Sequence, residues 1–377
     1  MPERPLTDIE RDLTAAYAAL ERCDWQEAEN GYLRCLVEFD ERGRAEEDVY
    51  RALIYHQLGI LAQERQWFDE AVDWYRKALA VYDRLGLERE IAADYHQLGM
   101  VAKEKLQLDE AAAWYRRSLA IREPLGLESE AATDYHQLGI LAQYREDYDE
   151  ARAWYERALA VFERLGLQRE TAAGYHQLGV VAQQEGRLEE AERWCRKGLE
   201  LFETLGLQRE SGSAYHQLGL IAQGREQHVA AREWYRCGLE VFKALGLQRQ
   251  EADEYYQLGR NAEYLEQPAE AEVYYRRALE IYGELGNPPL GVFALALLGR
   301  LRFRADDFVE ALQRLGEAFA VALQYDLPVM ELIEGNLSLV WDALGEERFA
   351  ATWQEAFGVK PPEELLKEFR SSGEGIP

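Results

Sequence analysis

The chain has 377 residues, with 70 acidic and 43 basic side chains and a formal net charge of −27. That balance disfavours nucleic acid, whose phosphates require a cationic footprint. The opening stretch MPERPLTDIERDL carries charge where a signal peptide needs an apolar core, and no apolar run approaches the ~18 residues of a membrane span, so a cytoplasmic protein with no membrane partner is expected.

In chain order, Ile9, Leu13, Ala16 and Leu20 mark a first helix, and Trp25, Ala28, Tyr32, Leu36 and Phe39 mark a second. Spacings of three and four give each an apolar face, so residues 1–45 read as a degenerate helical hairpin. Residues 46–285 then hold six regular repeats. YHQLG stands at Tyr55 to Gly59 and returns from Tyr95, Tyr135, Tyr175 and Tyr215, followed by YYQLG at Tyr255, always 40 residues on. Fixed-period similarity of this size marks a stacked repeat protein.

Each repeat contains two amphipathic stretches, as in Tyr55, Leu58 and Ala62, then Ala71, Tyr75, Ala78 and Tyr82. A short polar segment such as Glu64 to Asp69 separates them. Repeats join through Gly-Leu, with Gly86 and Gly126 suited to the left-handed position that ends a helix. Past Leu285 the pattern weakens. Residues 286–325 keep Leu298, Gly299 and Ala311 as a divergent repeat opened by Asn287-Pro288-Pro289. Residues 326–357 read as a degenerate hairpin, and 358–377 as a short capping helix, with Leu365, Leu366 and Phe369, followed by a frayed tail.

These residues resemble the tetratricopeptide repeat. With Leu58 and Gly59 in slots 7 and 8 of that motif, Tyr55 takes the aromatic slot 4, Ala71 the small slot 20, Tyr75 the aromatic slot 24 and Ala78 the small slot 27. The resemblance runs through all six regular repeats. The 40-residue period exceeds the family's usual 34, and the terminal proline is absent or displaced, as at Pro124. Both departures imply longer helices, similar to the branch that includes kinesin light chains and many bacterial signalling proteins. The implied fold is all-α, a right-handed α-solenoid of stacked hairpins.

A glycine inside a helix costs ~1 kcal/mol against alanine, so Gly59, Gly99, Gly139, Gly179, Gly219 and Gly259 point to close helix approach. The Ala71 series on the second helix is expected to sit against them. The aromatic row Trp74, Trp114, Trp154, Trp194 and Trp234 is expected to pack within or between hairpins, because a single hairpin has little other core.

In the family the first helix of each hairpin lines a concave groove, with slots 5, 6, 9 and 12 among those pointing into it. Carried over residue by residue, slot 5 is His56, His96, His136, His176, His216 and Tyr256. Slot 6 is Gln57, Gln97, Gln137, Gln177 and Gln217, continued by Gln257. Slot 12 is Gln63, Lys103, Gln143, Gln183 and Gln223, then Glu263. Slot 9 runs from Ile60, Met100, Ile140, Val180 and Leu220 to Arg260 and Arg300. Amides match the paired N–H and C=O groups of an extended backbone, and aliphatic slots receive its side chains, so a protein or peptide partner is expected. The alternative stays open that the histidines and glutamines bond only to neighbouring helices. The arginines either clamp a partner's carboxylate or pair with Glu263, Asp306 and Asp307.

No cofactor or metal is expected: the repeated histidines lie on different hairpins with no recurring carboxylate or cysteine beside them. Cys23, Cys35, Cys195 and Cys237 lack metal-like spacing and read as reduced structural thiols. With no phosphate loop and no supported nucleophile, the chain reads as a non-enzyme. The expected function is an interaction scaffold; a peptide-responsive signalling receptor and the sensor arm of a larger ATPase or protease system are the alternatives.

Overall fold

A computed structural model describes residues 6–42 and 47–373. The expectations for Gly43 and Glu46 and for the last four residues of the tail lie outside that range. Every regular element among the described residues is a helix. The fold is an all-α solenoid, and its chain forms two compact units, Met1–Glu185 and Gly186–Pro377.

In the first unit, α1 (Leu6–Glu21) and α2 (Trp25–Arg42) precede the hairpins α3 (Asp48–Glu64) with α4 (Phe68–Leu85), α5 (Glu88–Glu104) with α6 (Leu108–Arg122), and α7 (Glu128–Tyr144) with α8 (Tyr148–Leu165); α9 (Gln168–Gln184) closes it. The second unit opens with α10 (Leu188–Thr204). The hairpins α11 (Gln208–Gly224) with α12 (His228–Ala244), α13 (Gln248–Tyr264) with α14 (Pro268–Glu284), and α15 (Pro288–Arg304) with α16 (Phe308–Tyr325) follow. The odd-numbered helices from α3 to α15 are called A helices below, and their partners B helices.

Helix ends follow from backbone chemistry. Gly86 has φ +68°, its N–H bonding to the Asp83 carbonyl, while the Leu87 N–H reaches back to the Tyr82 carbonyl. This pair of bonds satisfies the last carbonyls of α4, and only glycine takes that φ without a Cβ penalty. Gly126, Gly166, Gly206, Gly246 and Gly286 repeat the positive φ. Between the A and B helices the left-handed residue is instead Gln66, Leu106, Glu146, Glu226, Glu266 or Asp306, and glycine only at Gly186.

Slot 8 does mark close approach, but the partner differs from expectation. A Cβ on Gly59 would stand 2.6 Å from the Tyr75 ring, and one on Gly139 2.7 Å from Tyr155. The glycine therefore receives the ring of the slot 24 tyrosine, while Ala71 is buried without filling that gap. Tyr75, Tyr115, Tyr155, Tyr235 and Tyr275 are completely buried. Around this core the tryptophans stack on slot 4 of their own hairpins: Trp74 on Tyr55 at 5.8 Å, Trp114 on Tyr95 at 5.5 Å, Trp154 on Tyr135 at 5.7 Å and Trp234 on Tyr215 at 5.9 Å. Each pair joins A to B helix through an offset aromatic contact.

The C-terminal end is organised differently. α17 (Met330–Phe357) bends at Gly345, whose φ of 72° and ψ of 164° break the helical path. α18 (Glu363–Gly373) inserts Leu365, Leu366 and Phe369 into a core with Phe349 and Trp353. Trp341 meets Phe349 edge to face and Phe369 at a tilt there.

Candidate partner-binding face

Slots 5, 9 and 12 are four and three residues apart, which places them on one face of each A helix. The structure shows what each side chain does there. His56 Nδ1 lies 2.5 Å from Asp94 Oδ1, His96 Nδ1 2.7 Å from Asp134 Oδ1, and His216 Nδ1 2.8 Å from Glu254 Oε1. The three carboxylates are fully buried, whereas the imidazoles keep 15–28% of their side-chain surface exposed. Each histidine thus ties its A helix to the next one and rests on the slot 24 ring of its own hairpin, at 5.7 Å for His56 and Tyr75.

The acids sit in slot 3, so a carboxylate does recur beside the histidines, contrary to the expectation from the sequence, because it comes from the following A helix. A signal was present: the same slot holds Ile54, Gly174, Ala214 and Ala294 in other repeats, so an acid there stands in an otherwise small or apolar series. Burial pushes Asp94 and Glu254 above the usual carboxylate range, partly opposed by their histidines. Burial alone would lower His216, but the Glu254 carboxylate reverses this and leaves it raised. His136 differs. Gly174 stands where its acid would be, its Nε2 is buried without a hydrogen-bond partner, and burial followed by the charge of Lys103 lowers its pKa to about 4. His176 is half-buried on α9.

Slot 12 is fixed by the buried tyrosines. The hydroxyls of Tyr75, Tyr155 and Tyr235 donate to Oε1 of Gln63, Gln143 and Gln223 at 3.0–3.1 Å. Tyr275 donates to Glu263 at 2.6 Å. An amide held by its oxygen presents its nitrogen, a donor, at the other end. Gln143 Nε2 donates onward to Gln184 at 2.8 Å. Lys103 has no acceptor to offer Tyr115, whose hydroxyl is left unpartnered; its ammonium donates to Gln137 at 3.0 Å. Gln183 is half-buried in the equivalent place.

In slot 6, Gln57, Gln97, Gln137 and Gln177 are half-buried, and Gln217 is buried. Among the slot 9 side chains, Ile60, Met100, Ile140 and Leu220 are half-buried too. Tyr256 replaces histidine beside Tyr275 at 6.3 Å, with Arg260 over its ring at 5.9 Å. Arg260 Nη1 reaches Gln257 at 3.4 Å, and Arg300 bonds Glu263 at 3.0 Å. The structure therefore gives most of slots 5 and 12 internal partners, ties Gln137, Gln257 and Arg300 of slots 6 and 9 internally as well, and leaves Gln57, Gln97, Ile60, Met100 and Ile140 half-buried.

Among the described residues, no group of three or more His, Cys, Asp or Glu could hold a metal ion. No described helix is long and apolar enough to cross a membrane.

Family profiles described as tetratricopeptide repeat match residues 50–123, 89–164, 170–244 and 252–284. No curated protein matches the chain in sequence. In structure it is similar to a signal transduction ATPase with numerous domains carrying a tetratricopeptide repeat sensor, from Pyrococcus horikoshii, with TM-score 0.67 and 16% identity over 98% of this chain. That match covers 55% of the archaeal protein, so the chain spans about half its length. A Rap protein complexed with competence and sporulation factor gives TM-score 0.52 and 14% identity, covering 97% of this chain and 99% of the other. BtubC from P. vanneervenii gives 0.53 and 18%, covering 58% and 92%.

Proposed function

Because the chain belongs to the tetratricopeptide repeat family, we propose that it is a non-enzymatic scaffold holding an extended segment of a partner protein, or a peptide, along the half-buried strip on the A helices of its first unit. The observation that carries this reading is the fixed amide row. Buried tyrosine hydroxyls hold the carbonyl oxygens of Gln63 and Gln143 in the first unit, and of Gln223 in the second, so these amides are oriented, that of Gln143 already donating to Gln184, with little side-chain entropy left to lose on binding. Half-buried Gln57 and Gln97 supply both donors and acceptors beside them, Gln137, whose oxygen accepts from Lys103, supplies its N–H groups, and Ile60, Met100 and Ile140 supply apolar contact. A polypeptide backbone with alternate apolar side chains satisfies both rows at once.

The histidines contribute mainly by joining successive A helices, so their part in recognition is positional. A partner that opened the His56–Asp94 or His96–Asp134 contact would change how neighbouring hairpins meet. That gives the peptide-responsive receptor a physical route and makes it the second reading.

The test is selection of peptides from a random display library, with binders measured against two variants. Gln57→Ala with Gln97→Ala alters the A-helix strip; Arg116→Ala alters an exposed B-helix position. At least tenfold weaker binding in the first and unchanged binding in the second is expected. The reverse pattern, or a library that yields no binder, would sink the proposal.

A further inference from the structure

Charges in slot 21 of the B helices pair with the repeat that follows. Arg152 Nη1 lies 2.8 Å from Glu185 Oε1, Glu192 meets Arg225, and Glu272 lies 2.9 Å from Arg302. Arg232 is the exception. The position that holds Glu185 opposite Arg152 is Leu265 opposite Arg232. Arg232 Nη1 donates to the neutral Gln267 at 3.3 Å, while Glu233 on its own helix stands 3.8 Å from Nε and also serves Arg236 at 3.5 Å. Nε itself is buried without a hydrogen-bond partner. That leaves open the Nε–Nη2 edge, a fork with which a guanidinium takes both oxygens of a carboxylate.

A second polar group without partners occupies the slot that faces it. Between α4, α5 and α6, Val72 of slot 21 and Val101 of slot 10 line one cleft of about 250 Å³. Their equivalents on α12 and α13 are Arg232 and Asn261. Asn261 is fully buried, and neither end of its amide has a hydrogen-bond partner. The mouth of the crevice changes in the opposite sense. Lys105 bridges to Asp69 at 2.7 Å and Arg145 to Asp109 at 2.7 Å, but the corresponding pair here is Leu265 and Val229, the latter 59% exposed. The crevice thus has polar groups at its floor and apolar ones at its mouth. Two adjoining polar groups left unsatisfied are unfavourable unless something else bonds to them.

We propose that the crevice between α12, α13 and α14 binds a carboxylate carried on an aliphatic stem, its oxygens taken by the Nε–Nη2 edge of Arg232 and by Nδ2 of Asn261, its stem lying against Val229 and Leu265. The ligand is a free aliphatic acid or the glutamate side chain of a polypeptide. The site contains none of the residues of the A-helix strip, and it stands whether or not that strip binds a partner.

Leu265→Glu supplies the decisive variant, because it copies the Glu185 that pairs with Arg152 and so fills the site from within. The probes are butyrate and its neutral counterpart butyramide, and an acetylated, amidated Ala-Glu-Ala peptide with its glutamine counterpart. Each is titrated into the full chain and followed by the side-chain amide resonance of Asn261, assigned with Asn261→Leu. Butyrate, the glutamate peptide or both are expected to shift that resonance and to bind at least tenfold more tightly than their neutral counterparts. Leu265→Glu is expected to weaken this binding at least tenfold. Arg232→Gln, at a side chain only 22% exposed, should do the same and answers the question should Leu265→Glu fail to fold. A preference shown by butyrate alone assigns the crevice to free acids; one shown by the peptide alone assigns it to polypeptide side chains.

Equal binding of charged and neutral probes would overturn the inference, as would wild-type affinity in Leu265→Glu or Arg232→Gln. Absence of binding by every probe would overturn it too, and would leave Arg232 and Asn261 to buried water.

Discussion

Asn261 breaks a ladder that is otherwise aliphatic: Leu61, Val101, Leu141, Val181 and Ile221 hold the same slot in the other repeats. It is fully buried, and neither its amide nitrogen nor its oxygen has a hydrogen-bond partner. Leaving a polar group unsatisfied in an apolar site costs ~1–3 kcal/mol, so Asn261→Leu should stabilise the protein by about that amount. Chemical denaturation should show a higher midpoint at unchanged slope; a lower midpoint would mean that the site cannot take the extra volume. Lys103 is the converse case, a donor where Tyr115 needs an acceptor. Lys103→Gln should add the tyrosine–amide bond that Gln63 makes with Tyr75, worth ~1 kcal/mol. Both oddities were visible in the sequence as departures from a slot. Their meaning was not, because a slot gives residue identity while satisfaction depends on which atom faces it.

At the scale of the element, periodicity identifies both helices of each hairpin, and Gly-Leu marks the turn between repeats. The turn inside the hairpin was legible only as a short polar segment; its left-handed residue was not, because it varies among Gln66, Leu106, Glu146, Gly186, Glu226, Glu266 and Asp306. A β-carbon in that conformation costs ~1–2 kcal/mol, and Leu106 is in addition 73% exposed with φ 57°. Leu106→Gly should therefore raise stability by about 1 kcal/mol, less than the full strain because glycine also frees the unfolded chain. An unchanged or lower thermal midpoint would show that the strain is relaxed elsewhere. The slot 8 glycine was legible as close approach, but not that Tyr75 rather than Ala71 fills it, because recurrence cannot say which side chain reaches across. Gly139→Leu would drive carbon into the Tyr155 ring, and overpacking of this kind costs ~1–3 kcal/mol. A wild-type melting curve for this variant would place Tyr155 elsewhere.

Over the whole molecule, the all-α solenoid could be read from one repeated pentapeptide, since a period and a helical spacing together leave few other folds. The candidate face was legible only as a set of slots. What the histidines touch depends on slot 3 of the following repeat, 38 residues on, which holds Asp94 and Asp134, then Gly174 and Ala214, then Glu254. This pattern governs stability against pH. Asp94 and Glu254 have raised values in the folded chain, so folding binds their protons more tightly, and stability falls as pH climbs from the ordinary carboxylate range through those values. His216, also raised, holds its contribution below about 6.5 and loses it as pH rises through its folded value. His136 opposes all three: the unfolded chain takes up its proton near 6.5 and the folded chain only at about 4. Between those values stability should drop by ~1.4 kcal/mol per pH unit, about 3 kcal/mol in all. Thermal midpoints of wild type and His136→Gln from pH 8 to 4 should run parallel above about pH 7 and diverge below it, the variant retaining stability that the wild type loses. Curves that stay parallel to pH 4 would show that His136 is protonated in the folded chain, and that Gly174 leaves room for another acceptor to reach it.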